Sequence, residues 1–267
     1  MSQTKFNEFV EIVKRLRKEC PWDREQTNDS IKSATIEEAY EVVEAIDKRN
    51  FEELKKELGD LLLHVVFHTV IAEEQNHFKI DDVIGSIQEK LIRRHPHVFG
   101  TTEVSGSEEV KKNWEKIKLE EGRQSILEGV PPYLPALQRA HRLQEKAAKV
   151  GFDWENKEDV WKKVIEEIKE MHEIEELKKN SDSKEKSDEL TKKLEEEVGD
   201  VFFALVNYAR FLGVNPEEAL RITNNKFIKR FQYIEEKIKK SGRSISDSNL
   251  EEMDKFWNES KSSDKSS

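Results

Sequence analysis

Apolar side chains in this chain recur at intervals of three and four residues. Phe6, Phe9, Val10, Val13 and Leu16 share one face of a helix predicted over 4–18, because a 3.6-residue period brings i, i+3, i+4 and i+7 together. That helix stops at "CPWD", where Pro21 restricts Cys20. The same pattern predicts helices over about 30–49, with Ser30 as N-cap, over 51–75 and 80–94, and a polar one over 107–121. "EGRQSILEGVPPYLP" then places two glycines and three prolines in a row of fifteen, which reads as a linker. Further helices are predicted over 134–149, 158–179, 189–212 and 216–240, and a short one over 247–259. The tract "KKNSDSKEKSDE" (178–189) lacks large apolar residues and is expected to be a mobile connection. No segment reads as a strand, so the fold class is all-α. The expected division is a first helical unit over 1–121, a linker over 122–133, a second unit over 134–260 and a disordered tail over 261–267.

The two units repeat one another in order. Trp22-Asp23 precedes Glu37-Glu38-x-x-Glu41, then Glu57-x-x-Asp60, then Lys90-x-x-x-Arg94. Trp154-Glu155 precedes Glu166-Glu167-x-x-Glu170, then Glu197-x-x-Asp200, then Lys226-x-x-x-Arg230. This is an internal duplication of a helical unit. Sixteen positions separate Glu41 from Glu57 and twenty-seven separate Glu170 from Glu197, and the surplus coincides with the Ser/Lys/Asp tract.

Residues three apart on a helix share a face. Glu38 and Glu41 therefore project together, as do Glu57 and Asp60, and a short connection folds their helices into an antiparallel hairpin. Glu57, Asp60, Leu61 and His64 continue an apolar stripe, as do Glu197, Asp200, Val201 and Ala204, so both acidic pairs are expected to face the bundle. Clustered carboxylates repel and lose hydration, and a hard divalent cation with oxygen ligands relieves both. Gly59 and Gly199 each precede the aspartate inside a helix, at a cost of about 1 kcal/mol. Their expected use is to let a neighbouring helix or a ligand come close. A solvated acidic face is the ordinary alternative in a chain with 56 acids. A di-iron carboxylate bundle is another, but it calls for Glu-x-x-His pairs. His64 and His68 are expected to serve packing. Lys226 with Arg230, and Lys90 with Arg94, lie one turn apart and suit phosphate oxygens. Lys163 precedes Glu167 by one turn, whereas its first-unit counterpart is Ala34. Trp22, Trp114, Trp154 and Trp161 are expected as core or interface anchors, and Trp257 as a pocket cover or a dock for the last helix.

Composition narrows the setting. Charged residues make up 38%, against roughly 25% in an average globular chain, as suits long amphipathic helices. A net charge of −10 argues against a nucleic-acid-binding surface. No apolar run is long enough to span a membrane, no secretory signal is visible, and the single cysteine, Cys20, fits a reducing cytoplasm.

Taken together, "CPWDREQT", "EEAYE" with "ELGDLLLHVVFH", "KLIRRHPHVFG", "GVPPYLPALQRAHRLQEKAAKVGFDW" and "NNKFIKRF" resemble the MazG-type nucleoside triphosphate pyrophosphohydrolases of the all-α NTP pyrophosphatase superfamily. The resemblance runs from about residue 5 to 258. It implies two tandem MazG-like helical bundles, a homodimer, and Mg²⁺-dependent hydrolysis of a broad range of ribo- and deoxynucleoside triphosphates to monophosphate and pyrophosphate, with Mn²⁺ able to stand in. By motif, the metal ligands would be Glu167, Glu170, Glu197 and Asp200, with Glu38, Glu41, Glu57 and Asp60 as a second candidate site. Lys163, Lys193, Lys226, Arg230 and Trp257 would bind the nucleotide. The later unit would be the main seat of activity, with water attacking the α-phosphorus and Glu166 or Glu170 orienting or deprotonating it. A non-catalytic helical interaction protein and a nucleotide sensor are the competing readings.

Overall fold

The computed structural model describes residues 5–121 and 125–264. It consists of two compact units, Met1–Glu121 and Gly122–Ser267, and among the described residues every regular element is helical.

In the first unit, α1 (Lys5–Glu19), α2 (Pro21–Glu25), α3 (Asn28–Asp47) and α4 (Phe51–Glu74) are followed by α5 (Ile80–Arg94), the short α6 (Pro96–Phe99) and α7 (Ser107–Glu120). α3 and α4 form the expected antiparallel hairpin. Its turn spans 48–50 and holds Arg49 at φ 51, and Asn50 caps α4 by accepting from the Glu53 N–H at 3.2 Å. α3 starts earlier than expected. Thr27 is its N-cap, and Ser30 completes a reciprocal capping box from the third helical position, so two amide donors are satisfied where a Ser30 cap would satisfy one. Val10 and Val13 of α1 join Ile31 of α3 and Val66, Phe67, Val70 and Ile71 of α4 in the core. The buried Arg17 ties these helices together. Its guanidinium donates to Glu74 at 2.6 and 3.0 Å, to the Gln26 carbonyl at 2.9 Å and to the Asp23 carbonyl.

The second unit comprises α8 (Ala136–Ala148), α9 (Lys157–Lys179), α10 (Lys184–Phe211), α11 (Pro216–Lys240), a 3₁₀ turn (Ile245–Asp247) and α12 (Leu250–Asp264). α9 and α10 make the corresponding hairpin. The tract 178–189 is not a long loose connection: α10 begins at Lys184, capped by Ser183, which leaves only 180–183 between the helices. A polar sequence without apolar anchors still forms helix when it continues a paired hairpin, and Leu190 is buried just beyond it. The extra residues thus lengthen the hairpin past the acids. α12 runs to Asp264, so the first part of the expected tail is helical, while 265–267 lie outside the described residues. Residues 122–124 of the expected linker also lie outside them. The remainder makes turns, and the buried Lys146 holds it by donating to the carbonyls of Ile126 and Glu128 at 3.0 and 3.1 Å. No helix among the described residues is long and apolar enough to cross a membrane.

Candidate functional site

Each hairpin gathers carboxylates from both of its helices. In the second unit, oxygens of Glu167, Glu197 and Asp200 lie within 4.8 Å of one another, and so do those of Glu166, Glu167 and Glu170. Glu167 is shared by both groups and is buried. In the first unit, Glu38, Glu57 and Asp60 converge in the same way. There the buried acid is Glu57, on the other helix of the pair. Glu41, Asp60, Glu170 and Asp200 are exposed, so the clusters sit at the seam's edge and not deep within it.

Burial and neighbouring negative charge act on these groups in one direction. Burial pushes Glu57 up to about 7, helped by hydrogen bonding with Glu53 and Glu41. Burial, with Glu41 and Asp60 nearby, raises Glu38. Burial, with Glu167 beside it, raises Glu170. In the first unit His64 lies 3.9 Å from Glu38; in the second, the counter-charge comes from Lys163. Its Nζ lies 2.6 Å from Glu166 and 2.6 Å from Glu167, and hydrogen bonds to these two hold its ammonium well above the usual lysine range. Converging carboxylates, one of them buried and the others half-buried or exposed, are the donor set of a hard divalent cation that keeps aqueous or phosphate ligands. The residues fit such an ion in both units.

No other helix of the same chain closes on Gly59 or Gly199. A Cβ built on Gly59 or Gly199 meets nothing within 4 Å, because both positions face outward from the hairpin within a single chain. His64 and His68 both reach the Thr35 hydroxyl, at 3.0 and 2.8 Å, and His68 also meets Asn28 at 2.8 Å. Burial, then His64, lowers the His68 pKa.

The cations divide. Lys193, on α10, pairs with Glu189 at 3.0 Å. Lys226 is exposed on α11. Arg230, one turn on, sits over Trp257 at 5.6 Å from its ring centroid. Trp257 also meets Phe227 at 5.4 Å and Lys261 at 5.7 Å, so it docks α12 on α11. In the first unit, Arg94 and Arg93 both hold Glu121, at 3.1 and 2.8 Å. Hydrogen bonds from Arg94 and then Arg93 pull this carboxyl down to about 2. Arg94 is thus committed to the end of α7.

Sequence reasoning missed a cavity of about 770 Å³ between α8, α9 and α10. Lys163, Glu167 and Asp200 line it, together with Gln144, Phe152 and Asn207. Trp154 also lines it and is about half exposed, Trp161 is exposed to a similar degree, and Trp22 more so. None of the three is a core anchor within one chain. One signal was available: Ala140, Leu143 and Ala147 keep helical spacing around Gln144, a polar residue in an apolar stripe.

An all-helical chain that twice sets a Glu-x-x-Glu helix against a Glu-x-x-Asp helix defines a class of duplicated carboxylate hairpins. The chain belongs to the MazG nucleotide pyrophosphohydrolase domain family, whose pattern matches residues 26–99 and again 155–234. It is 45% identical to the nucleoside triphosphate pyrophosphohydrolase/pyrophosphatase MazG of Thermotoga maritima, over 97% of this chain and 96% of that one. It is 42% identical to the nucleoside triphosphate pyrophosphohydrolase of Escherichia coli, over 95% of each. A crystal structure of a mazG-related protein from Thermotoga maritima aligns with 42% of this chain and 97% of its own at 27% identity, with a TM-score of 0.38.

Proposed function

We propose that this protein is a nucleoside triphosphate pyrophosphohydrolase acting on ribo- and deoxynucleotides, with water attacking the α-phosphorus and pyrophosphate leaving. Family membership and the activity named for the two relatives support the reaction class. The observation that carries the reading to particular residues is the second-unit cluster, where Glu167, Glu197 and Asp200 converge beside Lys163 at the edge of a cavity.

Glu167, Glu170, Glu197 and Asp200 would hold Mg²⁺, or Mn²⁺ in its place; when bound, the ion supplies Lewis-acid polarisation of phosphate oxygens. Lys163 is held by two carboxylates on the cavity wall, where its charge favours an anionic substrate. Lys226 and Arg230 would offset phosphate charge, Trp257 holding Arg230 in place, and Lys193 would reach the same ligand from α10. Glu170, where the ion does not fully engage it, would orient or deprotonate the attacking water. Glu166 is bound to Lys163 and suits orientation of that water. Glu38, Glu41, Glu57 and Asp60 form a second ion site without the lysine.

We also propose a homodimer. Ile36, Tyr40 and Val43 on α3, and Trp161, Ile165 and Phe202 on the second hairpin, stand exposed, and a second copy would cover such faces. The single cysteine and a nucleotide substrate suit a cytoplasmic setting.

Product analysis tests the reaction. With Mg²⁺ the purified protein is expected to give monophosphate and pyrophosphate, and Glu170→Gln to remove turnover while leaving the helical circular dichroism unchanged. Release of orthophosphate and diphosphate would overturn the bond assignment. Tight nucleotide binding without product would turn the reading to a sensor.

A further inference from the structure

The connection between α8 and α9, residues 149–156, forms one wall of the second-unit cavity, and packing does not hold it there. α8 ends in a Schellman turn. The Phe152 N–H donates to the Ala147 carbonyl at 3.1 Å and the Gly151 N–H to that of Ala148 at 3.0 Å, with Gly151 at φ 86. At the far end Asn156 caps α9 by accepting from the Asp159 N–H at 3.0 Å. Between these fixed ends, Phe152 and Trp154 line the cavity while 83% and 44% exposed. Apolar side chains so open to water gain little from burial, so another interaction must keep this wall in place.

Asp153, between the two aromatics, supplies it. One carboxylate oxygen accepts from Arg210 Nη1 at 2.9 Å and the other from Nη2, a fork-to-fork pair. The oxygen facing Nη2 also accepts from the Trp154 N–H at 2.9 Å, which fixes the backbone beside the pair. Arg210 is anchored on α10. Its Nε and Nη2 donate to Asn207 Oδ1 at 3.0 and 2.8 Å, and its guanidinium lies over the Phe211 ring at 4.7 Å from the centroid. Its side chain is 16% exposed. Arg210 lines the same cavity as Lys163, where a cation could meet phosphate. All of its guanidinium nitrogens already donate within the protein, however, and its forked face is turned to a carboxylate.

We infer that Asp153 and Arg210 are positioning residues: their pair is a clasp that holds the 149–156 connection against α10 and keeps the cavity walled beside Glu167 and Asp200. The role of the clasp in turnover rests on the nucleoside triphosphate reading above. Neither residue touches the ligand; both act through the segment they fasten. With the clasp open, the connection turns about Gly151, the wall recedes, and a ligand at the acids loses its enclosure on that side. Such misplacement weakens binding without altering the groups that do the chemistry.

The test uses the full-length protein with Asp153→Asn, Arg210→Lys, Arg210→Gln and the double variant of Asp153→Asn with Arg210→Gln. Hydrogen exchange is read first, without nucleotide. Asp153→Asn and Arg210→Lys are each expected to speed exchange of the 152–155 amides by at least about tenfold, while the α9 amides around Glu167 stay as they are. With Mg²⁺ and ATP, each single variant is expected to raise KM about tenfold and to leave kcat within about twofold. The double variant should be no worse than either single one, since partners in one interaction are not additive. Arg210→Lys keeps the charge and loses the fork, so wild-type KM and exchange in that variant overturn the clasp. Additive effects overturn it as well, as does a fall in kcat at unchanged KM, which would make Arg210 a group acting on the reacting phosphate. Asp153→Glu keeps the carboxylate and is expected to recover most of the wild-type KM. If the Arg210 variants do not fold, Asp153→Asn, isosteric and partly exposed, decides by exchange and KM together. Absence of turnover in the wild type overturns the activity reading instead, and the exchange rates then decide the clasp by themselves.

Discussion

Glu57 and Glu167 are the buried acids of their clusters, but they occupy different places in the repeated motif. Glu167 is matched by the half-buried Glu38, and Glu57 by the half-buried Glu197. Glu167 has Lys163 at 2.6 Å, whereas Glu57 is surrounded by other carboxylates and is raised to about 7, first by burial and then by hydrogen bonding with Glu53 and Glu41. A raised acid favours the folded state in its protonated form. Its contribution to the metal-free protein is fully present below the ordinary value of 4.5 and is lost as pH climbs through about 7. Glu57→Gln is neutral at every pH and lacks this loss. In chelator, the melting temperature of the variant is therefore expected to gain on that of wild type between about pH 5 and pH 8, and added Mg²⁺ should shrink the gap. A difference that does not change with pH would show that Glu57 is ionised in the fold throughout. Spacing of three made the shared faces of these acids legible in the sequence. Which acid becomes buried depends on contacts across the hairpin, and spacing along one helix contains no such information. Gln144 was missed for a related reason: periodicity reports the stripe formed by Ala140, Leu143 and Ala147 and passes over the exception within it.

At the scale of elements, both hairpins were legible because their apolar stripes keep the helical period through long stretches. The misreadings fall at helix ends and in polar tracts. Composition favoured a loop at 178–189, yet α9 and α10 extend to meet across four residues, since backbone hydrogen bonding and pairing with an adjacent helix outweigh weak local preference. α2 and α6 each begin at a proline, Pro21 and Pro96. This residue is as compatible with a first helical turn as with a stop. The glycines are used by no other helix of the same chain. Each weakens its helix, and within one chain nothing approaches either of them. Gly199→Ala is therefore expected to stabilise the isolated fold by about 1 kcal/mol, read as a higher urea midpoint at unchanged slope. A lower midpoint, or dissociation into smaller species on sedimentation, would mean that a second copy closes on this face and that the glycine serves that contact.

For the molecule as a whole, duplication has produced two units with the same acids and different surroundings. The first has Ala34 where the second has Lys163, and His64 where the second has Ala204. Its Arg94 is bound to Glu121, while Arg230 stands beside Trp257. The second cluster opens onto a cavity that a lysine, three aromatic residues and a glutamine share with the acids. An ion held by carboxylates alone does not select or orient a nucleotide; cationic and flat groups must lie within reach of the same ion. On that argument the proposed reading is that the second unit carries the turnover and that the first would hold an ion chiefly for the stability of its own hairpin. Glu167→Gln is expected to lower Mg²⁺-dependent pyrophosphate release by at least about a hundredfold. Glu57→Gln should lower it far less, while removing most of the Mg²⁺-induced rise in the melting temperature of the first unit. Both effects can be read from one preparation of each variant, by product assay and by hydrogen exchange resolved along the chain. If Glu57→Gln instead stops release while Glu167→Gln leaves it intact, the roles of the two units are reversed, and the lysine beside Glu167 is structural.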